Sequence, residues 1–152
     1  MDQRLAQKRR PVLFMAAFLL GAPVGLGLYL LHYAAAFSYF SNDPMACINC
    51  HVMRDQFENW NHSSHKAFAV CNDCHTPKAF ADKWIVKGIN GWNHSVAFTT
   101  GNFPDPIHIN KMNSRVVQSR CVSCHETLVS AIHRNASGEE RLCFDCHKNV
   151  GH

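Results

Sequence analysis

The chain has 152 residues, 47% of them hydrophobic, with 15 Lys and Arg against 11 Asp and Glu and a formal charge of +4. That length allows one modest domain plus an appendage. Arg4, Lys8, Arg9 and Arg10 against Asp2 put +3 of the charge into the first ten residues, so the remainder lacks the basic surface that nucleic-acid binding requires.

Val12 to Leu31 reads VLFMAAFLLGAPVGLGLYLL and holds no charged residue. Twenty helical residues rise about 30 Å, the thickness of a bilayer core. Pro23 and the glycines are tolerable in a lipid-embedded helix. The basic cluster before the run is expected to stay on the cytoplasmic side. The expected layout is a cytoplasmic basic segment over 1–11, a transmembrane anchor over 12–34 and a periplasmic domain over 35–152, in the inner membrane with a single pass. A cleaved signal peptide competes, with Ala34-Ala35-Ala36 as its cleavage site. The uncharged run extends to Asn42, well past the roughly 7–15 apolar residues of a signal peptide, which favours a retained anchor. Tyr29, Tyr33, Phe37, Tyr39 and Phe40 suit an interfacial aromatic belt, though packing against a cofactor would use them equally well.

All eight cysteines then fall in Cys-x-x-Cys pairs: Cys47/Cys50, Cys71/Cys74, Cys121/Cys124 and Cys143/Cys146. Each pair is followed at once by a histidine, namely His51, His75, His125 and His147. Cys-x-x-Cys-His is the attachment pattern of a c-type haem. Zinc knuckles and disulfides are the rivals, but neither needs His directly after each second Cys. The expectation is four covalent haem c groups. Their propionates add negative charge, so the loaded domain is expected to be acidic. Covalent haem c is assembled outside the cytoplasmic membrane, which agrees with the orientation read from the basic cluster.

Four macrocycles in about 110 residues leave no room for an ordinary apolar core. The expected fold is mainly α: one N-terminal transmembrane helix, then a small multihaem domain of short helices and loops with the haems as its core. The motifs fall into two dihaem halves, about 45–76 and 119–152. Between them, Thr76-Pro77 reads as an N-cap and N1 pair. It opens a helix over 77–98 that Gly88 and Gly91 interrupt. Phe80, Trp84 and Trp92 supply much of its apolar face, and Lys83, Lys87, Asn90 and His94 form a polar stripe. Asn102 to Pro106 reads as a loop, and Gly138 breaks a second helical stretch before the last motif.

Seven histidines lie outside the motifs. His65 and His133 each fall between the two motifs of a half and are the expected distal ligands, since neutral imidazole suits low-spin electron-transfer haem. His62 competes with His65. His108 is expected at the surface or in support, His32 at the membrane end of the anchor, and His152 frayed at the terminus. Two distal histidines for four haems leave sites that a substrate or another protein can fill. In the first motif, CINCHVM, a second soft ligand follows His51. By spacing alone His51 takes the iron and Met53 packs the pocket.

CINCHVM, the charged N-terminus with its single anchor, and CNDCHTP at 71–77 resemble the NapC/NirT family of membrane quinol dehydrogenases, above all its short four-haem members. The likeness covers essentially the whole chain. It implies that Met53 is the proximal ligand of the first iron, with His51 displaced. It also implies a quinol site holding a lysine and a carboxylate. The lysine falls on Lys87, whose alternative is a solvated helix face. The carboxylate has no clean match, because Asn90, Asn93 and His94 occupy its region, and His94 is the replacement proton acceptor. The implied activity is menaquinol oxidation with electrons passed to a periplasmic reductase. The implied partner is a pentahaem nitrite reductase catalytic subunit, which supplies a haem-ligating lysine at His75. A passive membrane-tethered carrier without a quinol site, or a quinol dehydrogenase for a nitrate or N-oxide reductase, are the alternatives.

Overall fold

In the computed structural model the described residues are 2–135, 141–148 and 150–152, with the side chains of 2–6, 8 and 131–135 outside the description. Among the described residues there is no strand, in keeping with the mainly helical class expected. The chain divides into two compact units, residues 1–41 and 42–152.

The first unit is a single long helix, α1 (Asp2–Tyr33), followed by a 3-10 turn, Ala36–Phe40. Arg9–Tyr33 forms a 25-residue stretch long and apolar enough to cross a membrane, about 38 Å at helical rise. None of that apolar stretch is buried against protein, and Phe14, Phe18 and Leu20 are strongly exposed. A water-soluble helix would hide such residues; a lipid-facing one needs them outside. The helix runs through Pro11 and Pro23 without a break. It stops where Ala35 takes a left-handed conformation, φ 48°, a costly geometry for a residue with a Cβ.

The second unit strings short elements together. A 3-10 turn, Pro44–Asn49, opens with Pro44 at its first position and the Asp43 carboxylate accepting from the Met45 N–H at 2.9 Å. A second turn, His51–Met53, leads into α2 (Arg54–Asn61), and a third, Ser64–Ala67, precedes α3 (Cys71–His75). Then come α4 (Phe80–Thr100), α5 (Lys111–Asn135) and α6 (Cys143–Cys146). α3 and α6 pack against α5, and the Pro44–Asn49 turn packs against α2 and α3.

Two expectations about α4 change. Its N-cap is Ala79, not Thr76. Thr76 instead closes α3: its hydroxyl donates to the Asn72 carbonyl at 2.7 Å, and the residue is buried. A threonine between two helices can serve either end, and the short α3 before it takes its hydroxyl. α4 also runs unbroken through Gly88 and Gly91 to Gly101, whose φ of 67° ends it as glycine permits. The expected break at Gly138 lies outside the described residues.

The core is sparse. Among the described residues only Ala46 and Val86 are buried apolar side chains, and no large side chain is fully buried. Burying a large apolar side chain contributes about 1.5–3 kcal/mol, so two small residues cannot hold a unit of this size together.

Candidate haem-attachment sites

The four motifs share one five-residue pattern, Cys-x-x-Cys-His, but not one backbone. The second and fourth each occupy a short α-helix, α3 and α6. In both, the third motif residue is aspartate and its carboxylate folds back on the chain. Asp73 accepts from the Val70 N–H at 2.9 Å, and Asp145 from the Leu142 N–H at 3.0 Å. Each bond satisfies a backbone donor at the helix start. The third motif lies inside α5, which kinks at His125 (φ −107°, ψ 21°). The first motif is not α-helical: Cys47 lies within one 3-10 turn that ends at Asn49, and His51 begins the next, with Cys50 extended between them.

Successive motifs adjoin in chain order. The Cys47 and Cys71 thiols hydrogen-bond, which draws Cys47 down to about 7 and pushes Cys71 up in the free-thiol form. Cys74 feels Cys124, and Cys121 feels Cys143 and Cys74, although burial is the main cause that raises both. The junction between the second and third motifs is tied further. Arg120 Nε donates to the Asp73 carbonyl at 2.6 Å, and Lys78 Nζ to Ser123 Oγ at 2.9 Å. The Cys143 N–H donates to the buried Gln118 side chain at 2.8 Å, which fixes the fourth motif on α5.

Two histidine pairs face each other across the motifs. His75 Nε2 and His152 Nε2 are 3.3 Å apart, with nearly parallel rings whose centres are 5.6 Å apart. Centres that much farther apart than the nitrogens mean rings meeting nitrogen to nitrogen. Two imidazoles on one metal, each at about 2 Å, place their nitrogens about 4 Å apart, so an opening of under about 1 Å admits an iron. Burial, and then His152 opposite, lower His75 to about 4; burial also lowers His152. His65 and His125 form the second pair, ring centres 6.2 Å apart and edge to face, and His65 Nδ1 is buried without a hydrogen-bond partner.

These observations fit haem c. Each motif offers two thiols and an imidazole, and paired imidazoles stand at a spacing suited to axial ligation. The sparse core needs large apolar bodies to fill it. Among the described residues no group of three or more His, Cys, Asp or Glu is placed to hold a bare metal ion.

The NapC/NirT cytochrome c family profile, N-terminal region, matches residues 8–152. The chain belongs to the NapC/NirT cytochrome c family. It is 41% identical over 156 aligned residues to the cytochrome c-type protein NrfH of Wolinella succinogenes, covering 95% of this chain and 88% of that one. It is 30% identical over 132 residues to the cytochrome c nitrite reductase subunit NrfH of Nitratidesulfovibrio vulgaris, covering 87% and 80%. Among solved structures it resembles a chain of the cytochrome c nitrite reductase NrfHA complex bound to the HQNO inhibitor. That likeness has a TM-score of 0.64 and 30% identity over 87% of this chain and 88% of the other. The expected likeness to the short NapC/NirT members holds, as does the assignment to haem-bearing electron-transport cytochromes.

Within this NapC/NirT chain the remaining predicted residues are distributed as follows. His51 is exposed and Met53 half-buried. Lys87 is half-buried, with its ammonium 5.5 Å from the Trp84 ring centre. Burial and then neighbouring Lys83 hold it below the ordinary lysine range, and Cys47 lies close enough to pull the other way. His94 shares Lys87's side of α4, two turns on, but is exposed. Asn90, in the region of the expected carboxylate, exchanges two amide hydrogen bonds with Asn113 of α5, each 3.0 Å. His62 is exposed and pairs with Glu58 at 3.9 Å; His108 is exposed. The His133 side chain lies outside the described residues. His147 is exposed beside α6.

His152 is the residue that sequence reasoning set aside. A C-terminal histidine gives no local signal, and only its approach to His75 across the fold identifies it. α4 also departs from expectation. Phe80 and Trp92 are strongly exposed rather than core, while Lys83, Lys87 and Asn90 are half-buried.

Proposed function

We propose that this chain is the membrane-anchored tetrahaem subunit that oxidises menaquinol and delivers electrons to a periplasmic reductase, the catalytic subunit of a cytochrome c nitrite reductase. The observation that carries the reading is Lys87. Among the lysines of α4, it is the one drawn below the ordinary range by burial while lying beside Cys47 of the first motif. The names of the relatives, NrfH in two organisms and the NrfHA complex, support the choice of reductase.

When bound, the haems supply one-electron iron redox chemistry, which a two-electron quinol must meet in two steps. The chain's own residues do the rest. Cys47 and Cys50, Cys71 and Cys74, Cys121 and Cys124, and Cys143 and Cys146 tether four macrocycles. Met53, less exposed than His51, would hold the first iron. His75, His125 and His147 would hold the other three. His65 lies against His125 and His152 against His75, so these would supply second ligands, with His133 the remaining candidate.

At the quinol, Lys87 donates a hydrogen bond to one ring oxygen, and Trp84 below it fixes the ammonium's direction. His94, exposed and two turns along, passes the two released protons to water in turn, one with each electron. Asn90 holds α4 to α5 through Asn113 and does not act as a base. α1 anchors the chain with its basic end in the cytoplasm and the haem unit in the periplasm. A lysine of the reductase competes with His152 for the face opposite His75, which would couple electron delivery to docking.

The test is anaerobic mixing of the purified holoprotein with a menaquinol analogue, with and without HQNO. The reading requires haem reduction that HQNO suppresses. No reduction, or reduction indifferent to HQNO, leaves a passive carrier instead.

A further inference from the structure

α4 is turned opposite to a helix that lies on a soluble domain. Its polar residues face inward. Lys83 Nζ donates to Asn42 Oδ1 at 3.0 Å, Lys87 lies beside Cys47, Asn90 pairs with Asn113, and Val86 among them is buried. On the far side, Ile85, Ile89, Trp92 and Val96 follow at helical spacing and are 58%, 42%, 72% and 43% exposed. An amphipathic helix on a soluble domain shows the reverse arrangement.

The first motif does not face this stripe. The attachment thiol that α4 meets is Cys47, on the Lys87 side, roughly 160° around the helix from the middle of the stripe at 100° per residue. No charged residue interrupts Ile85, Ile89, Trp92 and Val96. The helix is also held where the chain enters this unit. Asn42 accepts hydrogen bonds from both Lys83 and Asn72, each 3.0 Å, and it lies nine residues after Tyr33, the last residue of α1. A tryptophan and three aliphatic side chains on one face, with lysines around the helix, are the make-up of an interfacial helix.

We propose that the Ile85–Ile89–Trp92–Val96 stripe of α4 lies in the headgroup–acyl boundary of the bilayer that α1 spans, so that the haem unit makes its own in-plane contact with lipid. The proposal rests on α1 being a retained membrane anchor. Lipid fits the stripe better than protein because the face is narrow, uncharged and centred on an indole, and because the apolar stretch of α1 ends at Tyr33, nine residues before Asn42.

Photo-crosslinking on the full, haem-loaded chain tests it, with single copies in nanodiscs of phosphatidylethanolamine and phosphatidylglycerol. Benzoylphenylalanine replaces Trp92 or Ile89, with Leu20 in α1 and Glu126 on α5 as references. The expected result is lipid adducts at Leu20, Trp92 and Ile89, with roughly tenfold less at Glu126. Adducts at Leu20 but not at Trp92 or Ile89 overturn the proposal and leave the anchor standing. So do crosslinks from Trp92 to a second protein chain, or equal labelling at Glu126. No adduct at Leu20 removes the anchor reading and this one with it.

Discussion

The first and second motifs carry the same five-residue pattern and fold differently. CNDCH at 71–75 is an α-helix, closed at its start by Asp73 and at its end by Thr76. That winding turns His75 towards His152. CINCH at 47–51 crosses an extended Cys50 between two 3-10 turns, which leaves His51 exposed and Met53 half-buried. The lesson is that one motif can sit on two backbones, and the backbone around the second cysteine decides which of the following side chains is turned inward. Two local residues explain much of the contrast. Asp73 caps its own helix, whereas Asn49, the matching residue of the first motif, sits at the end of a turn already capped by Asp43.

The strongest way to break the comparison is to exchange ligands within the first motif. Met53→Leu is expected to lower menaquinol-analogue oxidation by about 100-fold or more, since losing even a supporting residue costs 10–100-fold. His51→Ala should leave the rate within about twofold. Equal losses, read by stopped-flow haem reduction, would return the first motif to the pattern of the second. At the second motif, His152→Ala should convert one low-spin haem signal to high spin in the isolated chain, seen by electron paramagnetic resonance. An unchanged spectrum would mean that His152 only stacks on His75.

Lys87→Met sharpens the first region further. It should raise the quinol KM about tenfold with four haems retained, because one charge-assisted hydrogen bond contributes about 1.5–3 kcal/mol. The pH profile gives an independent readout. Lys87 sits below the ordinary lysine range through burial and then Lys83, so its ammonium is lost at lower pH than that of a solvated lysine. Activity that needs this donor should therefore fall on the alkaline side. Lys83→Met removes the like charge, raises the Lys87 pKa and should move that limb upward; a downward shift would contradict the geometry. The smallest expected effect is that of Asn113→Ala, which leaves the Asn90 amide unpaired and should lower stability by about 1 kcal/mol, measured by chemical denaturation at fixed haem content.

Much of this was legible beforehand. Val12 to Leu31 announces a spanning helix through its apolarity alone, and α1 carries that run. α4 was visible as a helix but not as an inverted one. Helical spacing separates two faces without saying which one meets the domain. Phe80 and Trp92, as large apolar residues, read as core. The structure instead buries Val86 among Lys83, Lys87 and Asn90, because their partners Asn42, Cys47 and Asn113 lie on that side. Thr76 shows the same limit at smaller scale, since a capping residue between two helices does not declare which end it serves.

By itself the sequence determined the four Cys-x-x-Cys-His motifs, the apolar N-terminal helix and membership of a family, because each is written in contiguous residues whose chemistry depends on neighbours a few positions away. The tertiary structure decided which imidazoles meet. His65 reaches His125 and His152 reaches His75 across dozens of residues of chain. That pairing depends on α3 packing against α5 and on the tail returning past α6, arrangements fixed by shape and burial and by no local pattern.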